Sequence, residues 1–327
     1  MKKYIKKLCV SVAAVLCLQC VLLTGCGQGT QTMEILLDTN FQNGFGVMAG
    51  ELDMLPDHDI YSYGIVKELK HPANPDASFD WRIAQWKSVH SFSHELQTVE
   101  TEDYVSFENA AKQVRVFNDG SLQLNCFSSQ EYSAPRKSGE GWVHLLIEQV
   151  LHGKQRVHFE NMKHLYMEAE FTVNFCDNKM QEGTYDKSLH AGHLVWYITV
   201  ENELSNSVSQ EGRPDYLWFG VPIGDSRGRD LDKNDNYFLD KGTKKLIYSL
   251  GSGKFFSESE YIFGKTYKIK RDVLPDIRKA FDIAKENDFL PDAVFEHMVI
   301  GSTNFGWEMP GTFDGGMTLH NISINYE

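Results

Sequence analysis

The chain is poor in proline, with 9 among 327 residues. That removes proline-rich and collagen-like readings. Beyond residue 26 it has only two cysteines, Cys126 and Cys176, and neither has CxxC or CxxH spacing, so no zinc ligand set is present. Positive charge is also scarce: Lys+Arg number 32 against 45 Asp+Glu, a formal net charge of −13. An acidic chain repels phosphate backbones, so nucleic acid is excluded as a general partner. There is no P-loop, no dinucleotide fingerprint after a strand and no Gly-x-Ser-x-Gly elbow, which leaves nucleotides and hydride transfer without a sequence basis. Internal repeats at solenoid or propeller periods are absent too.

What is present is a packed-protein composition, 42% hydrophobic, 24% charged and 12% aromatic. The first residues stand apart. Lys2, Lys3, Lys6 and Lys7 are followed by an apolar run from Leu8 to Leu23. The run is shorter than the roughly 20 residues of a spanning helix and has the order of a secretory signal. It ends Leu22-Leu23-Thr24-Gly25-Cys26, which resembles the lipobox of bacterial lipoproteins. The resemblance implies a signal peptide over 1–25, cleavage before Cys26 and lipid on its sulfur. The expected location is extracytoplasmic, lipid-anchored to a bacterial membrane. Each buried methylene of such an anchor contributes about 0.8 kcal/mol. Residues 1–25 carry four lysines and no acid, so their removal takes the formal net charge from −13 to −17. Outside the cytosol, Cys126 and Cys176 could pair or stand as buried free thiols.

Residues 26–32 then read as the lipidated cysteine and a short polar tether, and 33–327 as one domain. Most of that domain alternates apolar and polar residues. The clearest stretches are Ser121–Cys126, Trp142–Val150, His164–Phe175, His193–Val200, Leu217–Ile223, Lys245–Leu250, Tyr267–Ile269, Met298–Gly301 and Met317–Tyr326. Period-two alternation rich in aromatic and β-branched residues predicts half-buried antiparallel strands. One amphipathic helix is predicted, capped by Asp272, with Pro275 in its first turn and Ile277, Ala280, Phe281 and Ala284 on one face. Phe79–Lys87 is a weaker helical stretch left unassigned. Many strands and a lone helix predict an all-β, two-sheet antiparallel sandwich. The opening Asn40-Phe-Gln-Asn-Gly-Phe45, the run of strands, the late helix and the closing strand Met317–Tyr326 resemble the concanavalin A-like lectin/glucanase jelly roll. The segments 141–149, 215–223 and 306–314 are similar to secreted bacterial proteins of that architecture. The resemblance implies a sheet face that binds glycans.

Glycosidases of this fold often carry a Glu-x-Asp-x-x-Glu strand. The nearest match, Glu51-Leu-Asp53-Met-Leu-Pro56, lacks the last Glu and ends in proline, so it does not support that chemistry. Lyase-type Arg-x-Glu and Gln-x-His strands are missing as well. Face analysis places His144, Leu146 and Glu148 on one side of their strand, and His193, Val195, Tyr197 and Thr199 on one side of theirs. Glu148, His193, Tyr197 and Trp218 are expected to line one surface if those strands are neighbours, an aromatic platform with polar groups that suits a sugar ring. The alternative places His144 and Glu148 on a solvated outer face and Trp218 in the core. Asp225 and Arg227 follow in a loop and could clamp hydroxyls or a carboxylate, or form a surface ion pair. Glu308, between Trp307 and a Gly/Pro-rich turn, is a second acid/base candidate beside Glu148, with His193 as a third catalytic candidate. Asp230, Asp232, Asn234 and Asn236 space oxygen ligands like a calcium loop, but the EF-hand positions for Gly and Glu hold Asp235 and Lys241. A structural calcium or a solvated acidic turn both fit. No other cofactor is expected. The functional expectation is a membrane-anchored protein that binds or processes a carbohydrate, as a glycoside hydrolase or polysaccharide lyase. The alternative is a non-catalytic glycan-binding or structural envelope lipoprotein.

Overall fold

A computed structural model describes residues 32–50, 53, 64–204, 215–227, 234–240, 243–256 and 262–327. The expected signal peptide, Cys26 and most of the expected tether lie outside the described residues, as do Glu51, Asp230 and Asp232. Residues 32–327 fall in one compact unit. In chain order the strands are β1 (Met33–Glu34), β2 (Phe45–Met48), β3 (Ile65–Leu69), β4 (Trp81–Ala84), β5 (Gln97–Glu100), β6 (Tyr104–Glu108), β7 (Lys112–Phe117), β8 (Leu122–Phe127), β9 (Val143–Val150) and β10 (Leu165–Asn178). There follow β11 (His193–Asn202), β12 (Tyr216–Asp225), β13 (Asn236–Leu239), β14 (Leu246–Ser249), β15 (Thr266–Asp272), helix α1 (Leu274–Glu286), β16 (Met298–Met309) and β17 (Phe313–Tyr326). No helix among the described residues is long and apolar enough to cross a membrane.

The expected two-sheet sandwich forms. One sheet has eight strands in the order β15-β10-β17-β8-β7-β6-β5, with β1 beside β17. The other has nine, in the order β13-β14-β12-β11-β16-β9-β4-β2-β3. Among the described residues pairing is antiparallel except between β2 and β4 and between β12 and β14. Alternation sends one side chain in two between the sheets. Leu194, Trp196 and Ile198 of β11 therefore meet Leu122, Leu124, Phe171 and Met317 of the opposite sheet in one apolar core. Three tryptophans in that core, Trp81, Trp196 and Trp307, are 0–1% exposed. Each indole N–H is satisfied, as burial of a donor demands. Trp81 donates to the Leu37 and Asp38 carbonyls, Trp196 to Thr303 Oγ1 at 2.9 Å, and Trp307 to the Leu124 carbonyl at 3.1 Å. The last bond runs from one sheet to the other.

The helix buries the expected face, Ile277, Ala280, Phe281 and Ala284. Its N-cap is Val273 rather than Asp272. Asp272 stands one residue earlier, where its carboxylate accepts from Leu274 N and Leu165 N and meets His164 Nδ1 at 2.7 Å. The Phe79–Lys87 stretch contains a strand, β4, whose Trp81 faces the core. Cys126 and Cys176 are free thiols. Both are in register with Gly315 of β17, one from each side. Two strand spacings, about 9.6 Å, separate their backbones, beyond the roughly 7 Å a disulfide spans. Burial raises both thiols, Cys176 to about 12.

Strand β16 is longer than its alternating start suggests. At Gly306 φ is +144° and a Cβ would run into the Leu145 carbonyl oxygen. Only glycine adopts this backbone without strain. Gly306→Ala is expected to destabilise the protein by about 1–3 kcal/mol. Denaturant unfolding checks this, and an unchanged midpoint would show that the strand relaxes around a side chain.

Candidate functional site

Strands β9, β16, β11 and β12 lie side by side, and their register sets one row of side chains on the outer face of the nine-stranded sheet. His144 is opposite Glu308, Glu308 opposite His193, and His193 opposite Asp225. A second row, four residues along, contains Arg82, Glu148, Asn304 and Tyr197. Between the rows a small apolar patch of Met48, Ala84, Leu146 and Val195 is buried, packed by Trp86 and Tyr197.

Glu308 is thus flanked by two histidines, with His144 Nε2 at 3.8 Å from its Oε1. Each histidine makes a T-shaped contact with a tryptophan. The Trp86–His144 centroids are 5.3 Å apart and the Trp142–His193 centroids 6.1 Å apart. Trp142 is 39% exposed, unlike the three core tryptophans. Two buried polar atoms of this face, His144 Nδ1 and Asn304 Oδ1, make no hydrogen bond. Such atoms are rare in folded proteins and mark places where a ligand or water completes the bonding.

Both tryptophans are held from behind. Gln85 donates to the Met48 carbonyl at 2.9 Å and Ser91 Oγ at 2.6 Å, and accepts from Phe92 N. Beneath that loop lies a fully buried ion pair, Lys112 to Glu131 at 3.0 Å. Lys112 also donates to Ser88 Oγ and to the His90 carbonyl, and Glu131 accepts from Ser88 Oγ and Val89 N. Burial opposes ionisation of Glu131, but Lys112 and these donors outweigh it and hold its carboxyl below the usual range. On the other side, the Arg136 guanidinium sits 6.0 Å from the Trp142 ring and donates to the carbonyls of Lys137, Glu140 and Leu189. Tyr132 donates to the Met309 carbonyl and accepts from Val143 N, tying the ends of β9 and β16 together beside Glu308.

At the end of the row Arg227 grips Asp225 in a fork, Nε to Oδ1 at 3.0 Å and Nη2 to Oδ2 at 2.6 Å. His193 Nε2 lies 3.3 Å from Asp225 Oδ2 and 3.0 Å from Arg227 Nη2. Burial works against the Asp225 charge, yet His193 and Arg227 prevail and keep its carboxyl well below the usual range. Tyr197 shares a hydrogen bond of 3.0 Å with Ser249, and burial together with the nearby Glu308 charge pushes its phenol up.

The expected surface is therefore one face, with differences. Strands β9 and β11 are not neighbours, because β16 runs between them and contributes Glu308 from a strand, not from a turn. Glu148 is level with Asn304, so it stands four residues from Glu308, about 13 Å along the strands. The two acid/base candidates therefore stand in different rows of the face, not level with one another. Trp218 is level with Thr199 and Ser302, six residues or about 20 Å from the Glu308 row, and stacks edge-on to Tyr216 instead. Trp86, Trp142 and Asn304 were not singled out by sequence. Alternation through Trp142, His144 and Glu148 was the available signal for Trp142. Of the calcium candidates, Asn234 and Asn236 are described, and Asn236 Oδ1 accepts from Tyr237 N. The intervening Asp235 is taken up by Lys254 at 2.6 Å, Lys279 at 2.8 Å and Tyr248 at 2.7 Å. Among the described residues no group of three His, Cys, Asp or Glu could hold a metal ion.

No protein-family model matches the chain, and no curated protein does. Among solved structures the chain is similar to a native family 12 xyloglucanase from Bacillus licheniformis, at 9% identity and a TM-score of 0.40, covering 71% of this chain and 98% of that one. It is similar as well to a cellulase derived from that of Rhodothermus marinus, at 11% identity and a TM-score of 0.39, covering 76% and 99%. A family 11 xylanase from Neocallimastix patriciarum matches at 6% identity and a TM-score of 0.34, covering 71% and 96%. At such identities these likenesses carry no residue roles over to this chain.

The Asp225 carboxyl is lowered in the folded state, so its contribution to stability is present above the unfolded value of about 3.9 and is lost as pH falls through that value toward the folded one. The melting temperature of Asp225→Asn should lie below that of the unaltered protein at pH 7, with the gap closing below about pH 4. A gap that does not change with pH would show that Asp225 acts through packing instead.

Proposed function

We propose that the chain is an extracytoplasmic lipoprotein, anchored through Cys26, that engages a carbohydrate on the outer face of its nine-stranded sheet around Glu308. The observation that carries this reading is the sequence of groups along one row: a central carboxylate, a histidine on each side, and a tryptophan in T-shaped contact with each histidine. A sugar ring offers an apolar C–H face for stacking and hydroxyls for hydrogen bonding, and this row offers partners for both. The unbonded His144 Nδ1 and Asn304 Oδ1 add a donor or acceptor that a hydroxyl completes.

Binding is the first reading, because Glu148 and Glu308 stand in different rows and do not face one another across neighbouring strands. A second reading, glycoside hydrolysis, is favoured by one feature. Asp225 stands two strands from Glu308 in the same row, a backbone separation of about 9.6 Å. Inverting enzymes use two carboxyls set apart to leave room for a water, and these two lie in one row on either side of His193. In that reading Glu308 is the acid, and Asp225 with His193 activates the water.

A glycan array probed with the purified chain, with and without calcium, tests the proposal, followed by product analysis on every glycan bound. Trp142→Ala is expected to weaken binding roughly tenfold, about 1.4 kcal/mol, without lowering the melting temperature. Glu308→Gln is expected to keep binding and, under the second reading, to abolish cleavage. A flat array, or binding indifferent to Trp142, would remove the carbohydrate reading of this face.

A further inference from the structure

The opposite, eight-stranded sheet also has an outer face, and its two halves differ. Where β10 pairs with β15 the face is ordinary for a solvated sheet, with cross-strand ion pairs Glu168–Lys270 at 3.0 Å and Glu170–Lys268 at 2.8 Å. Where β6, β7, β8 and β17 meet, amides, hydroxyls and rings surround a single ion pair, Glu108–Arg115. One row there runs Ser106, Arg115, Gln123, Thr318 and Thr172 in unbroken register. The next runs Glu108, Gln113, Asn125, Gly316 and Phe175.

The side chains of these rows bond along the face as a ladder. Gln113 donates to Glu108 at 2.7 Å, Asn125 to Gln113 at 2.7 Å, Arg115 to Gln123 at 3.1 Å, and Asn174 to Thr318 at 3.1 Å. An aromatic pair borders one end, Tyr104 edge-on to Phe117 at 5.6 Å, with the Arg115 guanidinium 4.1 Å from the Tyr104 ring. Phe175 borders the other end, its ring lying over Gly316 beside Asn125 Oδ1. The ladder is not complete. Ser106 Oγ, Arg115 Nε and Asn125 Oδ1 are buried without a hydrogen bond, and Ser106 and Asn125 are at least nine-tenths buried. Three such atoms on one face of one sheet are unusual, and they comprise a donor, an acceptor and a hydroxyl that can be either.

We propose that this half of the eight-stranded sheet is a second carbohydrate-binding face, separate from the Glu308 row, and that it takes an uncharged polysaccharide. Charge selects the ligand. The charged members of the two rows, Glu108 and Arg115, stand 3.6 Å apart and cancel. No net positive charge is left to attract a polyanion, and the chain around it is strongly acidic. Hydroxyl groups can meet the amide ladder as donors and acceptors at once, while the rings at its two ends stack on C–H surfaces. The strands repeat about every 4.8 Å across the face, so the binding groups form a line suited to an extended chain, not to a single sugar.

Native-gel affinity electrophoresis of the full chain measures this directly, with hydroxyethylcellulose, xyloglucan, mixed-linkage β-glucan and polygalacturonate each cast into the gel. Retardation is expected in at least one neutral polymer and not in polygalacturonate. Tyr104→Ala and Gln123→Ala should each weaken that retardation roughly threefold to tenfold. The retardation should survive Trp142→Ala in part. Tyr104→Phe keeps the ring and serves as the folded control, with melting temperatures read for every variant. Retardation abolished by Trp142→Ala and indifferent to Tyr104 and Gln123 would overturn the second face and leave the Glu308 site standing. The reverse pattern would do the opposite. Retardation only in polygalacturonate, or in none of the four, would overturn the second face.

Discussion

The register of β16 between β9 and β11 is the constraint on which the candidate site depends. Two antiparallel ladders fix it, one with each neighbour, and a slip of one residue would turn every outward side chain of β16 into the core. Gly306 makes the register possible, because the strand passes the Leu145 carbonyl too closely for a side chain. Trp307 locks it from the other side, since its indole reaches across the core to the opposite sheet. With Trp307 inward, Glu308 must face outward, level with His144 and His193.

Polar groups do much of the positioning around that row. The Lys112–Glu131 pair is fully buried, and a lone charge there would be costly. Here its further bonds go to Ser88, Val89 and His90, the loop that follows Trp86. Arg136 plays the same part for Trp142, spending its donors on three carbonyls of neighbouring loops. Arg136 thus approaches the Trp142 ring directly, and the Lys112–Glu131 pair fixes the loop that follows Trp86. The pattern suits a rigid binding surface, where side chains are ordered before the ligand arrives and less entropy is lost on binding.

The two outer faces of the sandwich use different chemistry. The nine-stranded sheet presents a few titratable groups among aromatic rings, with Asp225 kept ionised by Arg227 and His193. Half of the eight-stranded sheet presents amides and hydroxyls around a single Glu108–Arg115 ion pair.

Much of the architecture was legible in the chain itself. Long alternation gave β10, β11 and β17, because a strand half-buried on one face needs period two, and the helix declared itself through Ile277, Ala280, Phe281 and Ala284. The N-terminal strands β2 to β4 were hidden: β2 is buried throughout, so its residues do not alternate, and β4 is too short for a period to show. The proposed lipid anchor is a linear signal and rests on the sequence alone. Face assignments within single strands also came from sequence, since parity alone puts His144 with Glu148 and His193 with Tyr197. Which strands stand side by side, and at what level, did not. Only the tertiary structure set β16 between β9 and β11, brought Glu308 between two histidines, moved Trp218 away from them and parted Cys126 from Cys176. Parity is local to a strand, whereas neighbour and register are settled by how two whole sheets close over one core.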